Sequence, residues 1–340
     1  MAYLAATALN EYRAKYAGSN LDKAENRGSG FGLLSLAKRD TPNIISEAEI
    51  VKARGNAARA TKIPVLQKIS FTPGSVRTCT PETKYSTSAL VTITWATLFN
   101  GFHMIPSQYE NNEVGYIEDF KHKLQQLELQ WAKTIEAAIY TKLDAVKSTT
   151  FTADGSPFDF TGSVIQIPAA YTKTYLDELY ASLMADDFSA PFNMVASPGV
   201  MPVNNFFANQ GQANSENTAY QFGDYSFDYS NRVTKTTGAR GTFFVMPKGS
   251  LGMLTWVDPD ARRKAKIAEG NYWDTFSMPM LGVDAGLHVL MACGDNGTEA
   301  GSGLEASVTE NFMFSMDYAF VTPYISAGAA PIFKGDILLT

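Results

Sequence analysis

Histidine and cysteine are the scarcest reactive side chains in these 340 residues: His103, His122, His288, Cys79 and Cys293 are all there are. The two cysteines stand far apart with no CxxC and no Cys/His cluster. A structural zinc site needs about four such ligands, and a disulfide framework needs more cysteines at closer spacing. Charge is also sparse, at 18%. No run approaches the roughly 20 apolar residues of a membrane span. The opening Met1-Ala2-Tyr3-Leu4 lacks the charged and apolar regions of a secretory signal. A protein made and kept in a reducing cytoplasm, without membrane contact, is the expectation.

The same scarcity narrows the chemistry. Cys293 and His288 are five residues apart, on or beside one expected strand, so their side chains point to opposite faces. A buried, inert thiol is the expectation for Cys293. His122 sits between Lys121 and Lys123 on the polar side of a long helix, and His103 falls in a turn. Asp154-Gly155 with Asp159, and Asp295-Asn296-Gly297, lack the alternating oxygen ligands and terminal Glu of a calcium loop and read as turns. Gly28-Ser29-Gly30-Phe31-Gly32 contains a GxG, but no strand precedes it, so it reads as a flexible joint and not a phosphate loop. No catalytic, cofactor-binding or metal-ligating residue is assigned, and no cofactor.

Apolar residues, by contrast, are ample: 45% hydrophobic and 12% aromatic. At about 150 residues per domain the length implies two lobes. A surface short of charge is easily buried against neighbours, because few ions lose their water. Residues 1–70 carry 11 Lys and Arg against 6 Asp and Glu, a net of +5, which leaves −11 on the rest of a chain whose total is −6. Ends of opposite charge suit a wall with different surroundings on its two sides.

Residues 1–42 read as an arm. Ser46 with Glu49 forms a capping box, and Ile45 with Ile50 its hydrophobic staple, opening a helix that carries Lys52, Arg54 and Arg59. Ile63, Val65, Ile69 and Phe71, then Val91, Ile93 and Trp95, have the period of strands. They frame a polar tip from Thr72 to Ser88, which makes residues 62–100 a long hairpin. An isolated two-stranded hairpin is marginal in water, so this one needs a surface to lie on. Tyr116 to Lys147 is the strongest helix signal, with Phe120, Leu124, Trp131, Ile135, Ile139 and Leu143 in one stripe and Lys121, Gln125, Glu128 and Lys142 outside it. The spacing also approaches heptads, which leaves a coiled coil open.

Beyond residue 150 the pattern is mixed. A helix is expected at Tyr175–Met184, and strands at Phe192–Ser197, Tyr225–Tyr229, Thr242–Met246, His288–Ala292 and Phe312–Phe320. Asp258-Pro259-Asp260 reads as a turn. Arg262-Arg263-Lys264-Ala265-Lys266, the densest positive run, reads as a solvated helix start.

In this order, the arm, the capped helix, the hairpin Lys62–Asn100, the helix Tyr116–Lys147 and the α/β remainder resemble the major capsid proteins of tailed bacteriophages, the Hong Kong 97-type capsid fold. That resemblance implies an α+β subunit in five parts. These are an N-terminal arm and short helix at 1–61, an extended E-loop at 62–100, and a peripheral domain at 101–175 with its spine helix at 116–147. An axial domain at 176–300 follows, then a return to the peripheral sheet at 301–340. It implies a structural protein and no enzyme, assembled from itself as hexamers and pentamers in the host bacterial cytoplasm and residing in the virion around double-stranded DNA. Separate scaffolding, portal and decoration proteins are further partners. Val76, Arg77, Glu82, Lys84 and Tyr85 in the hairpin are the candidates for inter-subunit contact, and Arg54 and Arg59 for a lumenal, DNA-facing surface. Two other readings stay open: an encapsulin-type bacterial compartment, and a soluble α/β enzyme whose pocket the sequence does not reveal.

Overall fold

The computed structural model describes residues 31–59, 62–66, 88–110, 115–151, 156–186, 188, 190–205, 225–293, 308–322 and 331–339. Its architecture is α+β: two six-stranded sheets and one long helix share a core.

The long helix, α3, runs from Tyr116 to Val146. At about 1.5 Å per residue it is roughly 46 Å long. Phe120, Leu124, Trp131, Ile135, Ile139 and Leu143 are fully buried along one side. They share one core with Leu287, Phe312, Phe314 and Met316 of a sheet, so the stripe is buried on a sheet and not along a coiled-coil seam. Each such side chain contributes roughly 1.5–3 kcal/mol on burial. Phe120 meets Phe312 edge to face with centroids 4.9 Å apart. The helix is less one-sided than its pattern implied, since Gln125, Glu128 and Glu136 are buried too.

That sheet contains β3 (Trp95–Met104), β9 (Gly252–Trp256), β10 (Lys266–Ala268), β11 (Asn271–Met278), β12 (Val283–Cys293) and β13 (Val308–Val321). Its order is β10-β11-β12-β13-β3, with β9 also paired to β13. The alternation of Phe312, Phe314, Met316 and Tyr318 with smaller or polar residues directs the aromatic set onto α3. The other sheet contains β4 (Asp159–Thr161), β5 (Val164–Ile167), β6 (Phe192–Ala196), β7 (Tyr225–Tyr229), β8 (Ala239–Pro247) and β14 (Phe333–Leu338), in the order β4-β5-β14-β8-β6-β7. Helix α4 (Tyr175–Ala185) covers one face with Tyr175, Leu176, Leu179 and Leu183. From the opposite face Val195, Phe244 and Met246 join the α3 core.

Three expectations need correction. A boundary at residue 300 does not separate the sheets: β9 to β12 belong with β13 and β3, whereas β14 crosses to the other sheet. Strand pairing joins segments far apart in sequence, and composition carries no trace of that exchange. Second, residues 32–44 are no flexible arm. They form helix α1 (Gly32–Ile44), with Leu33, Leu34, Leu36 and Ala37 buried. Gly32 lies so close to β7 that a β-carbon there would stand 2.6 Å from the Tyr229 carbonyl oxygen; the glycine serves close approach, not flexibility. Third, Asp258 is the N-cap of a short helix, α5 (Pro259–Arg262), its carboxylate accepting from Asp260 N at 2.7 Å.

Candidate assembly surfaces

A hairpin built of alternating residues should leave the body as a ribbon, and its base is described. Strand β1 (Lys62–Leu66) pairs antiparallel with β2 (Ser88–Thr92), from Lys62 opposite Thr92 to Leu66 opposite Ser88. Among the described residues these two strands form a sheet of their own, joined to neither larger sheet. The outgoing chain then enters β3, an edge strand pairing β13 along ten residues.

The incoming leg starts in α2 (Glu47–Gly55). Ser46 caps it, its hydroxyl accepting from Glu49 N at 3.4 Å, and the helix ends at Gly55, short of the expected Arg59. The staple residues Ile45 and Ile50 bury against Leu254, Ala319 and Val321, together with Ile93 from the outgoing leg. A small satellite core therefore ties both legs to the sheet face opposite α3.

Polar contacts lie beside that core. Thr97, Asp317 and Trp256 stand opposite one another on β3, β13 and β9, hence on one face. Thr97 Oγ1 donates to Asp317 Oδ1 at 2.5 Å, and the Arg59 guanidinium lies 3.4 Å from Asp317 Oδ2. Trp256 Nε1 donates to the Asn56 carbonyl at 3.1 Å. Arg262 donates to the carbonyls of Arg54 and Asn56 at 2.8 and 2.6 Å, with its guanidinium 5.7 Å from the centre of the Trp256 ring. Arg262 is thus a clamp on the end of α2, not a solvated helix start. Of the positive run, Lys264 pairs with Asp274 at 3.2 Å.

The face opposite α3 is aromatic elsewhere as well. Trp273 and His288 stack in parallel with centroids 3.8 Å apart, and His288 Nε2 lies 2.9 Å from Asn271 Oδ1. Burial holds the His288 imidazole below its usual pKa. Phe99 on β3 is 61% exposed, a large apolar area offered to a neighbour at a sheet edge.

Buried acids form the third feature. Glu128 Oε1 accepts from Met280 N and Leu281 N at 2.6 and 2.9 Å. Glu136 accepts from Leu34 N at 2.7 Å and from the Ser230 hydroxyl. Burial raises the Glu136 carboxyl to about 7, although both bonds and the Arg232 charge pull the other way. Asp40 accepts from Asn193 Nδ2 and Gly249 N at 3.0 and 2.9 Å. These carboxylates bind backbone, amide and hydroxyl donors across α1, α3 and the loops, which orders those elements.

Two clefts lie among the described residues. A cleft of about 390 Å³ runs between α1, α2 and β9, past Lys38, Thr41, Arg54 and Thr255. A neighbouring one of about 180 Å³ includes Arg54, Arg262 and Asp284. Neither is lined by a histidine or cysteine. Cys293 is exposed at the end of β12, contrary to the expected burial: there β12 has run past β11 and pairs only with the first residue of β13. Among the described residues no group of three or more His, Cys, Asp or Glu could hold a metal ion, and no helix is long and apolar enough to cross a membrane.

Of the sequence-predicted site residues, Arg54 has an exposed side chain at the cleft, and Arg59 is drawn onto Asp317. Val76, Arg77, Glu82, Lys84 and Tyr85 lie outside the described residues. The sequence reading missed Thr97, Trp256, Arg262 and Asp317. One signal was available: Asp317 is the only charge between residues 311 and 321, in a stretch rich in Phe, Met and Tyr.

No protein-family model matches the chain, and no curated protein matches its sequence. Among solved structures it is similar to one described as the cyanophage Pam1 capsid asymmetric unit, at 11% identity and a TM-score of 0.49, covering 85% of this chain and 87% of that one. A structure from Mycobacterium phage Adephagia is similar at 12% identity and a TM-score of 0.43, covering 94% and 98%. A third, the capsid of a native GTA particle, gives 10% identity and a TM-score of 0.44, covering 87% and 92%.

Proposed function

We propose that the chain is the major capsid protein of a tailed bacteriophage, a structural subunit of the Hong Kong 97-type fold without enzymatic activity. Copies assemble into hexamers and pentamers, and these close into an icosahedral shell around double-stranded DNA, forming in the host bacterial cytoplasm. The observation that carries this reading is the ribbon. Among the described residues it is a two-stranded sheet joined to neither larger sheet, and such a sheet is only marginally stable in water without a cover. Another copy supplies that cover in a shell, and repeated heterologous contacts of this kind close into rings. The exposed Phe99 at a long sheet edge and the orienting role of the buried acids point the same way.

Within this reading Val76, Arg77, Glu82, Lys84 and Tyr85 lie in the segment that reaches a neighbour. DNA is contacted nonspecifically through its phosphates. Arg54, with its exposed side chain, is a better candidate for that contact than Arg59, which Asp317 already engages. Separate scaffolding, portal and decoration proteins complete the particle.

Deleting Thr72–Ser88 tests the reading, with the chain expressed together with its flanking genes and imaged by electron microscopy. The expected result is closed shells from the full chain and folded, unassembled subunits from the deletion. Normal shells from the deletion would remove the ribbon from assembly. A full chain that stays monomeric would sink the capsid reading, and closed shells that enclose protein in place of DNA would favour a compartment. Arg54→Gln should lower the DNA content of particles without changing their yield.

A further inference from the structure

One carboxylate holds both legs of the ribbon. The incoming leg reaches it through Arg59, three residues before β1 begins, and the outgoing leg through Thr97, five residues after β2 ends. Each leg takes its own oxygen, Oδ2 for Arg59 and Oδ1 for Thr97. Asp317 is only 8% exposed, on a strand whose other residues from 311 to 321 carry no charge. A buried charge at such a place costs stability relative to a well-packed apolar residue unless its partners are fixed. Those partners are fixed: Arg262 and Trp256 pin the carbonyls of Arg54 and Asn56 just upstream of Arg59. Two residues along β13, the row Trp95–Ala319–Leu254 seats the satellite core with Ile45, Ile50 and Ile93.

Resting on the capsid reading, we propose that Asp317 is a positioning residue. By binding Arg59 and Thr97 together it fixes the angle at which the ribbon leaves the body, and that angle selects a single shell curvature. The lever is long enough to matter. Five residues of strand span roughly 15 Å, so a tilt of about 10° at the base moves the far end of the described ribbon by roughly 3 Å, the length of a hydrogen bond. Contacts with a neighbour would then be made at another angle, or missed. The satellite core alone would tolerate such a tilt, because apolar contact is non-directional. The paired polar bonds to one carboxylate would not.

The test uses the full chain with its flanking genes and three variants: Arg59→Gln, Thr97→Val and the conservative Arg59→Lys. Cryo-electron microscopy reads particle diameter, and hydrogen exchange reads the soluble subunits. The wild type and Arg59→Lys should give one diameter. Arg59→Gln and Thr97→Val should give mixed diameters or open sheets, with exchange in 62–66 and 88–92 faster by about tenfold and α3 unchanged. Arg59 and Thr97 are exposed, so both variants should fold; general loosening that reaches α3 would count against a positioning role. Uniform wild-type diameters from both variants, or ribbon exchange equal to the wild type, would overturn the proposal. If the wild type forms no particles the capsid reading fails by itself, and the exchange measurement still decides whether Asp317 positions the ribbon.

Discussion

Glu136 shows at the residue scale how a buried acid couples elements. Its carboxylate joins α1 through Leu34 N and the end of β7 through Ser230, from a site on α3. Burial lifts its folded pKa from 4.5 to about 7, so between these values the folded state binds more protons than the unfolded. Stability therefore falls as pH rises through that window and levels off above it, by at most on the order of 3 kcal/mol. Glu136→Gln keeps an acceptor for Leu34 N and removes the titration. Urea midpoints at pH 5, 6, 7 and 8 should show the variant gaining on the wild type as pH rises. Glu310 and Asp228, also raised by burial, titrate in both proteins and cancel from the comparison. A gap that stays constant with pH would refute the assignment. Phe314 of β13, fully buried in the core that α3 covers, offers a simpler case. Phe314→Ala should cost about 3–5 kcal/mol, read as a lowered denaturant midpoint.

At the scale of elements, α1 is the instructive case. Its leucines looked like part of an arm because a Gly-Ser run precedes them and Pro42 lies inside the helix. What makes it a packed helix is a surface built from α3, β7 and β9, none of which is near it in sequence. Gly32→Ala would drive a methyl group to 2.6 Å from the Tyr229 carbonyl oxygen and 2.9 Å from its nitrogen. Backbone must move to admit it, at a cost of about 1–3 kcal/mol. Hydrogen exchange should accelerate across Leu33–Asn43 first and leave β8 unaffected. The capped helix α2, in contrast, was legible down to its bonds. Ser46 accepts from Glu49 N, and Ile45 and Ile50 bury together, as their spacing implied, since caps and staples are local.

At the scale of the whole molecule the two sheets do not make two independent bodies. Val195, Phe244 and Met246 of one sheet lie in the same core as Phe312, Phe314 and the stripe of α3 from the other. Calorimetry on soluble subunits should therefore show one unfolding transition, with equal calorimetric and van't Hoff enthalpies. Two resolved transitions would mean that this shared core does not couple the lobes. The sequence by itself determined what depends on neighbours along the chain: the span of α3, the cap of α2 and the alternation of β13. Helix and strand periods and capping bonds reach only a few residues, so they are written locally. Tertiary structure decided which strands share a sheet, that Gln125, Glu128 and Glu136 lie inside, that Arg262 holds the end of α2, and that Asp317 receives both legs of the ribbon. Those outcomes depend on contacts between segments far apart in sequence, Thr97 and Asp317 by 220 residues and Arg59 and Asp317 by more, and a local pattern cannot specify which distant surface will bury it.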